Sequence, residues 1–297
     1  MKEVRLKRYL LIILLTILVI AYGGSVSADA RASLQLRPRS TVARPTIATY
    51  AAISLPKGGM IHLNSQSNFF EINAVVTTAI KKTQQDLETF FGPLPAISIQ
   101  VKLMTQEVFT LSTGVPSWTN ALYYHDTIII PINTARINEE ELIRSVRHEF
   151  THAVIHELSD GKCPGWLDEG LAQYMEGTPN PLIRLALAQW LSKNPPVPFH
   201  MLQKGFTKLE KKYVAPAYAQ SLWAAHVMIQ GQGFLKIRNY LDELRQGKRD
   251  PFFHSLGISE AGFESSFACA LKNRSCLTNI ESCTCETVQQ SQLAMNF

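Results

Sequence analysis

The chain has no internal repeat, little cysteine and only a thin surplus of one charge. The net formal charge is +5, and Lys2, Arg5, Lys7 and Arg8 against Glu3 supply +3 of it, leaving +2 on residues 29–297. So small a surplus lends no support to a nucleic-acid partner. Charged residues make up 18% of the sequence and apolar residues 46%, the balance of a packed globular protein and not of a disordered one. Its 297 residues suit one large domain or two ordinary ones. Of the five cysteines, Cys163 stands alone, while Cys269, Cys276, Cys283 and Cys285 fall in the last 30 residues. Cys283 and Cys285 lack the two-residue gap and the matching second pair of a zinc ribbon. Disulfides in a cysteine-rich tail, residues 269–297, are therefore expected, with one cysteine outside any complete intrachain pairing.

A single long apolar run lies at the N-terminus. Basic residues up to Arg8 precede an apolar stretch from Tyr9 to Ala21, and Ser25-Val26-Ser27-Ala28 offers small residues for cleavage. This pattern predicts a signal peptide over residues 1–28 and an exported protein, in the periplasm, the cell envelope or outside the cell. Membrane attachment follows only if that segment stays uncleaved. No cysteine stands at the cleavage region, which argues against a lipid anchor there.

Residues 29–59 carry scattered Arg and Pro without a sustained period, and an extended arm or linker is expected. A folded domain is expected over residues 60–268. Its first half reads as a helix from Glu71 to Phe91, closed by Gly92-Pro93, and a strand from Ile97 to Leu103 with alternating apolar residues. Extended runs follow at Ala121 to Tyr124 and Thr127 to Ile132. After Asn138, a plausible N-cap, Leu142, Val146, Phe150 and Val154 recur every four residues and predict an amphipathic helix to about Leu158. Asp160 to Gly165 breaks it, and Trp166 to Glu176 reads as a helix returning against the first. Further helices are expected at Leu182 to Leu191, Ala217 to Gln230, Phe234 to Gln246 and Glu260 to Ala268. Strands first and helices later predict an α+β unit and not a doubly wound sheet.

The run His148-Glu149-Phe150-Thr151-His152 is an HExxH pattern inside the most strongly periodic helix. Spacing of four puts both imidazoles on one face, one turn apart, where both can reach one metal ion at about 2.0 Å. Glu149 lies about 100° round the helix, near the metal but free to act as general base. A catalytic zinc needs a third protein ligand. His156 extends the same stripe, but three side chains along one straight helix cannot converge on a tetrahedral centre. Asp168 and Glu169 on the returning helix both offer a carboxylate, and helical geometry does not choose between them. Gly170 and Ala172 beside them are small enough for two helices to approach closely.

HEFTHAVIHE followed by PGWLDEGLAQYM resembles the gluzincin peptidases, specifically the peptidase MA-like group with HExxH and a downstream W-x-D/N-E-G-x-A segment. The resemblance implies a zincin-like α+β fold, with a small N-terminal mixed sheet, the metal-binding helix among its helices, and a mainly helical C-terminal half. It implies Glu169 as third ligand beside His148 and His152, one zinc ion, and a peptide or protein substrate. It also implies a Tyr or His from the helical half as oxyanion donor: Tyr218 is the first candidate, with His226 and Tyr213 behind it. Gln173, one turn beyond Glu169, is a candidate partner of that carboxylate. The substrate is expected to lie along an exposed strand, either Ala121 to Tyr124 or Thr127 to Ile130.

The chain departs from the metzincins, because Ile155 and Leu158 stand where their longer motif has Gly and His. It also shows no obvious amine-recognition motif of the aminopeptidase gluzincins, which favours an endopeptidase. The competing class is an inactive, zinc-bearing secreted binding or structural protein.

Overall fold

The computed structural model describes residues 48–272, apart from 57, 67–68, 116–118, 134–137 and 178–180. The expected signal peptide, most of the expected arm, and Cys276, Cys283 and Cys285 lie outside the described residues. So does the question of disulfides among those three. Cys269 is exposed on the last helix, and Cys163 is half-buried with no disulfide. No helix among the described residues is long and apolar enough to cross a membrane.

Five strands form one mixed sheet: β1 (Ala48–Ser54), β2 (Gly59–Gln66), β3 (Ile97–Thr105), β4 (Leu122–Tyr124) and β5 (Thr127–Ile132), in the spatial order β1-β2-β3-β5-β4. The two pairings that flank β3 are parallel, and the outer two are antiparallel. Parallel neighbours need a crossover. Between β2 and β3 it is helix α1 (Phe70–Phe91), which stops at Gly92 with φ 76°. Ile61, Leu63, Ile99, Val101, Ile128 and Ile130 are all buried on the face that the helices cover. Ser98 and Gln100, between the buried residues of β3, are exposed, so its alternation reports a one-sided sheet.

The expected boundary at residue 60 needs correction. Ala48–Ser54, in the stretch read as an arm, pairs along its whole length with β2. Its residues are mostly exposed, Tyr50 among them, and Ile53 alone packs partly buried against the core, so the apolar alternation that marks β3 is missing. Gly59, which opens β2 at φ 93°, has no room for a side chain: a Cβ there would lie 1.9 Å from the carbonyl oxygen of Ile97.

Helix α2 (Gln106–Thr113) was also not anticipated. The Thr105 side chain caps it and Phe109 is its only buried residue, so it presents no stripe to read.

The helical half holds α3 (Glu139–Ser159), α4 (Gly165–Met175), α5 (Pro181–Leu191), α6 (Lys211–Arg245), α7 (Pro251–Leu256) and α8 (Glu260–Lys272). Helix α6 joins the two helices expected there, with a kink at Gly233, whose φ of 76° is not helical. Helix α4 is almost wholly buried and packs against both α3 and α6. Its first turn is anchored by Trp166, stacked on Phe199 at 4.5 Å between ring centres, with its indole N–H donated to Glu260 at 3.0 Å. The sheet with its two interleaved helices thus occupies the first half and helices alone the second, as an α+β fold.

Candidate metal centre

Helix α3 starts where the Asn138 side chain accepts the N–H of Glu141 at 3.3 Å, with Glu139, Glu140 and Glu141 in the positive first turn. Leu142, Val146, Phe150 and Val154 lie buried along one side. This fixes the rotation of the helix and turns His148 and His152 toward α4. Their Nε2 atoms are 3.1 Å apart. The chain then reverses through Asp160 and Gly161, both at positive φ, and brings α4 back across the histidines.

Glu169 Oε2 lies 3.4 Å from Nε2 of His148 and 3.8 Å from Nε2 of His152. A tetrahedral ion with ligands at about 2.0–2.1 Å puts its donor atoms about 3.4 Å apart, and these three edges bracket that value. The same oxygen is buried and accepts no hydrogen bond, which leaves a carboxylate lone pair aimed at the two nitrogens. Two imidazoles and one carboxylate suit zinc, and the residues present fit the ion.

Asp168, the alternative that helical geometry left open, points instead to the far nitrogen of His152. Its Oδ1 is 2.9 Å from Nδ1, a close pair whose angle is too poor for an aligned hydrogen bond. His156, one turn further on, sits edge-on to Tyr123 with Gly161 against its ring, outside the three-donor set.

A residue with no role in the sequence reading completes the arrangement. Glu176 accepts from Nδ1 of His148 at 2.8 Å with one oxygen, and from Arg144 at 2.7 Å with the other. It could have been found: it stands seven residues after Glu169, two helical turns along the same face. Such a carboxylate fixes the tautomer and orientation of the imidazole. Glu176→Gln is therefore expected to weaken zinc binding about 10- to 100-fold. Competition with a chromophoric chelator measures this, and an unchanged affinity would show that Glu176 does not orient His148.

Burial disfavours charge on His148, yet the carboxylates of Glu169 and Glu176 beside it prevail and hold its pKa well above the ordinary value. His152 is likewise opposed by burial but raised to about 9, chiefly by the charge of Asp168. Burial pushes Glu169 and Glu176 up, but the closeness of His148, hydrogen-bonded to Glu176, leaves both below the usual carboxylate range. Glu149 differs from them. Burial raises its pKa against the opposing charges of His148 and His152, and the N–H of Tyr123 on β4 points to its carboxylate.

Glu149 and His148 line a cavity of about 200 Å³ with Ser145, Glu176, Tyr218 and the Thr119–Ala121 segment. Burial keeps the Tyr218 phenol protonated far above neutral pH, helped by Glu169, Glu149 and Glu176 nearby. Its ring meets that of Phe206 edge-on at 5.0 Å. Neither of the other oxyanion candidates lines this cavity: His226 lies among Tyr174 and Trp223, and Tyr213 packs on Trp190. Gln173 is buried and donates to the carbonyls of Glu169 and Tyr218, at 3.2 and 2.9 Å, tying α4 to α6 instead of touching the Glu169 carboxylate. Of the two strands expected to receive substrate, Thr127–Ile130 is excluded, because β5 is paired on both sides; β4 is the edge.

The Peptidase MA superfamily model matches residues 92–273, more than half of the sequence and the whole of this site. The chain belongs to the Peptidase MA superfamily. No curated protein matches its sequence. Among solved structures it is similar to Legionella pneumophila aminopeptidase A in complex with aspartic acid, with 13% identity over 75% of this chain and 27% of that chain, at a TM-score of 0.48. It is also similar to a mutant M1 zinc metallopeptidase from Deinococcus radiodurans bound to a Tyr-Ser-Ala substrate, with 16% identity over 76% of this chain and 51% of that one, at a TM-score of 0.46. The chain thus spans about a quarter and about half of these two proteins.

Proposed function

We propose that this protein is an exported zinc metallopeptidase that cleaves within peptide chains, with His148, His152 and Glu169 as metal ligands and Glu149 as general base. The observation that carries the reading is the orphaned, buried oxygen of Glu169 facing two imidazole nitrogens, with a second buried carboxylate beside them. Membership of the Peptidase MA superfamily supports it. Export rests on the basic, apolar and small-residue pattern of residues 1–28.

When bound, zinc supplies a Lewis acid and acidifies water toward a pKa of about 7. The protein's own groups do the rest. Glu149, whose pKa burial raises above the ordinary carboxylate value, accepts a proton from the attacking water and returns it to the leaving nitrogen. Tyr218, kept protonated by burial, donates its O–H to the oxyanion. Backbone groups of β4, at the sheet edge, pair with the extended substrate. Of the carboxylates lining the cavity, Glu149 is the base and Glu176 is already bound by Arg144 and His148. Neither is left to hold a terminal amine, which favours internal cleavage.

The test is the metal content of the purified mature chain, with and without His152→Ala, paired with a broad peptide-cleavage profile. The expected result is one zinc per chain, lost in the variant, and hydrolysis that a chelator abolishes. Stoichiometric zinc with no hydrolysis of any peptide would instead indicate a zinc-bearing binding protein. Tyr218→Phe is expected to lower kcat about 10²- to 10³-fold with KM little changed, since its hydrogen bond forms only as negative charge develops. Steady-state kinetics on any cleaved peptide decides it, and a full kcat in the variant removes Tyr218 from the mechanism.

A further inference from the structure

The catalytic cleft does not end at Ser145. A second cavity of about 300 Å³ adjoins it, sharing Asn120 and Ser145 as common lining. Its further wall is the start of α3, with Asn138, Glu141 and Leu142. Glu141, Ser145 and Glu149 stand four residues apart in succession, so one stripe of the metal-binding helix floors both spaces. The two cavities form one trough between that helix and the segment leading into β4.

Two properties define what this extension accepts. Its chemistry is mixed: half-buried Pro131, with the edges of the buried Ile130, Ile132 and Leu142, forms an apolar wall for an alkyl stem, while Asn120, Asn138 and Ser145 offer hydrogen bonds. Glu141 is the single charged residue among those lining it, and it is exposed enough to receive a solvated ion. A long alkyl stem ending in a cation fits this pairing.

The distance sets its place on the substrate. Eight residues of helix put Glu141 about 12 Å from Glu149 along the trough. An extended peptide advances about 3.3 Å per residue, and the side chain itself spans part of the gap.

We infer that the second cavity is a substrate subsite for a lysine or arginine side chain two to four residues from the scissile bond, with Glu141 as its counter-charge. The inference rests on the peptidase reading and names its substrate class.

The experiment uses the zinc-loaded full chain. Matched peptides carry lysine, glutamate or the neutral isostere norleucine at each of four positions on either side of the scissile bond. Wild-type kcat/KM is expected to favour lysine about fivefold at one position, the effect of one partly solvated ion pair. Glu141→Gln brings that ratio to about one, and Glu141→Lys turns the preference toward glutamate. An equal lysine preference in wild type and Glu141→Gln overturns the subsite, as does no preference at any position.

The same peptides are measured for binding to Glu149→Gln by fluorescence anisotropy, with and without Glu141→Gln. If no peptide is cleaved, the peptidase reading fails. The subsite is then decided by binding alone: a lysine preference that disappears with Glu141 upholds it, and its absence overturns it.

Discussion

Glu149→Gln is expected to retain one zinc per chain while turnover falls by a factor of about 10²–10⁴, the usual contribution of general acid–base catalysis. The substitution keeps the volume of the side chain and one oxygen able to accept the N–H of Tyr123, and removes its charge and basicity. Glu149 is outside the three-donor set of His148, His152 and Glu169, so the metal has no reason to leave. Its carboxylate is buried and has its pKa raised, which brings it nearer the pKa of an acidified water and makes proton transfer in both directions accessible. Zinc analysis and kcat/KM on the same preparation measure both halves of the expectation. Loss of the metal would mean that Glu149 contributes to the ligand set, and retained turnover would place the base elsewhere.

Gly170→Ala is expected to destabilise the protein by roughly 2–4 kcal/mol, although alanine is ordinarily the better helix residue by about 1 kcal/mol. A Cβ at this position would lie 2.2 Å from the carbonyl oxygen of Ser221 and 2.7 Å from Cβ of Ala225. The first of these is backbone in the middle of α6 and has no rotamer by which to yield. Helices α4 and α6 must separate by about 1 Å, which opens a buried interface and stretches the Gln173 bridge between them.

Glu169 is the preceding residue, so the same displacement draws its carboxylate away from the histidines. Zinc affinity should fall together with stability, and Leu at this position should do worse than Ala. Chemical denaturation of chelated and zinc-loaded protein separates the two effects. A Gly170→Ala protein as stable as the parent would mean that the helices do not pack as closely as described.

The sheet was legible in part: β3, β5 and the short edge strand β4 were expected, whereas β1 and the interior β2 were not. Ile97, Ile99, Val101 and Leu103 alternate because β3 has neighbours on both sides and one covered face. It was illegible at β1, whose side chains are mostly exposed and show no such pattern, and at α2, which buries one side chain. The helical half reads well for the opposite reason. Long helices that bury one side must repeat apolar residues every three to four positions, as α3 does.

At the metal centre the division is equally physical. Relations inside one element follow from helical geometry, so the spacing of His148 and His152, the place of Glu149 beside them and the exclusion of His156 as a third ligand were determined by sequence alone. Relations between elements depend on the angle and depth at which α3, α4 and α6 meet, and no local spacing encodes these. Helical geometry left Asp168 and Glu169 open and only the motif resemblance implied Glu169; the tertiary structure shows Glu169 meeting both Nε2 atoms, Glu176 holding His148 from behind, Tyr218, the first candidate, reaching the cavity where His226 and Tyr213 do not, and β4 at an edge of the sheet. Each is a contact between segments distant in sequence, decided by packing at contact distance.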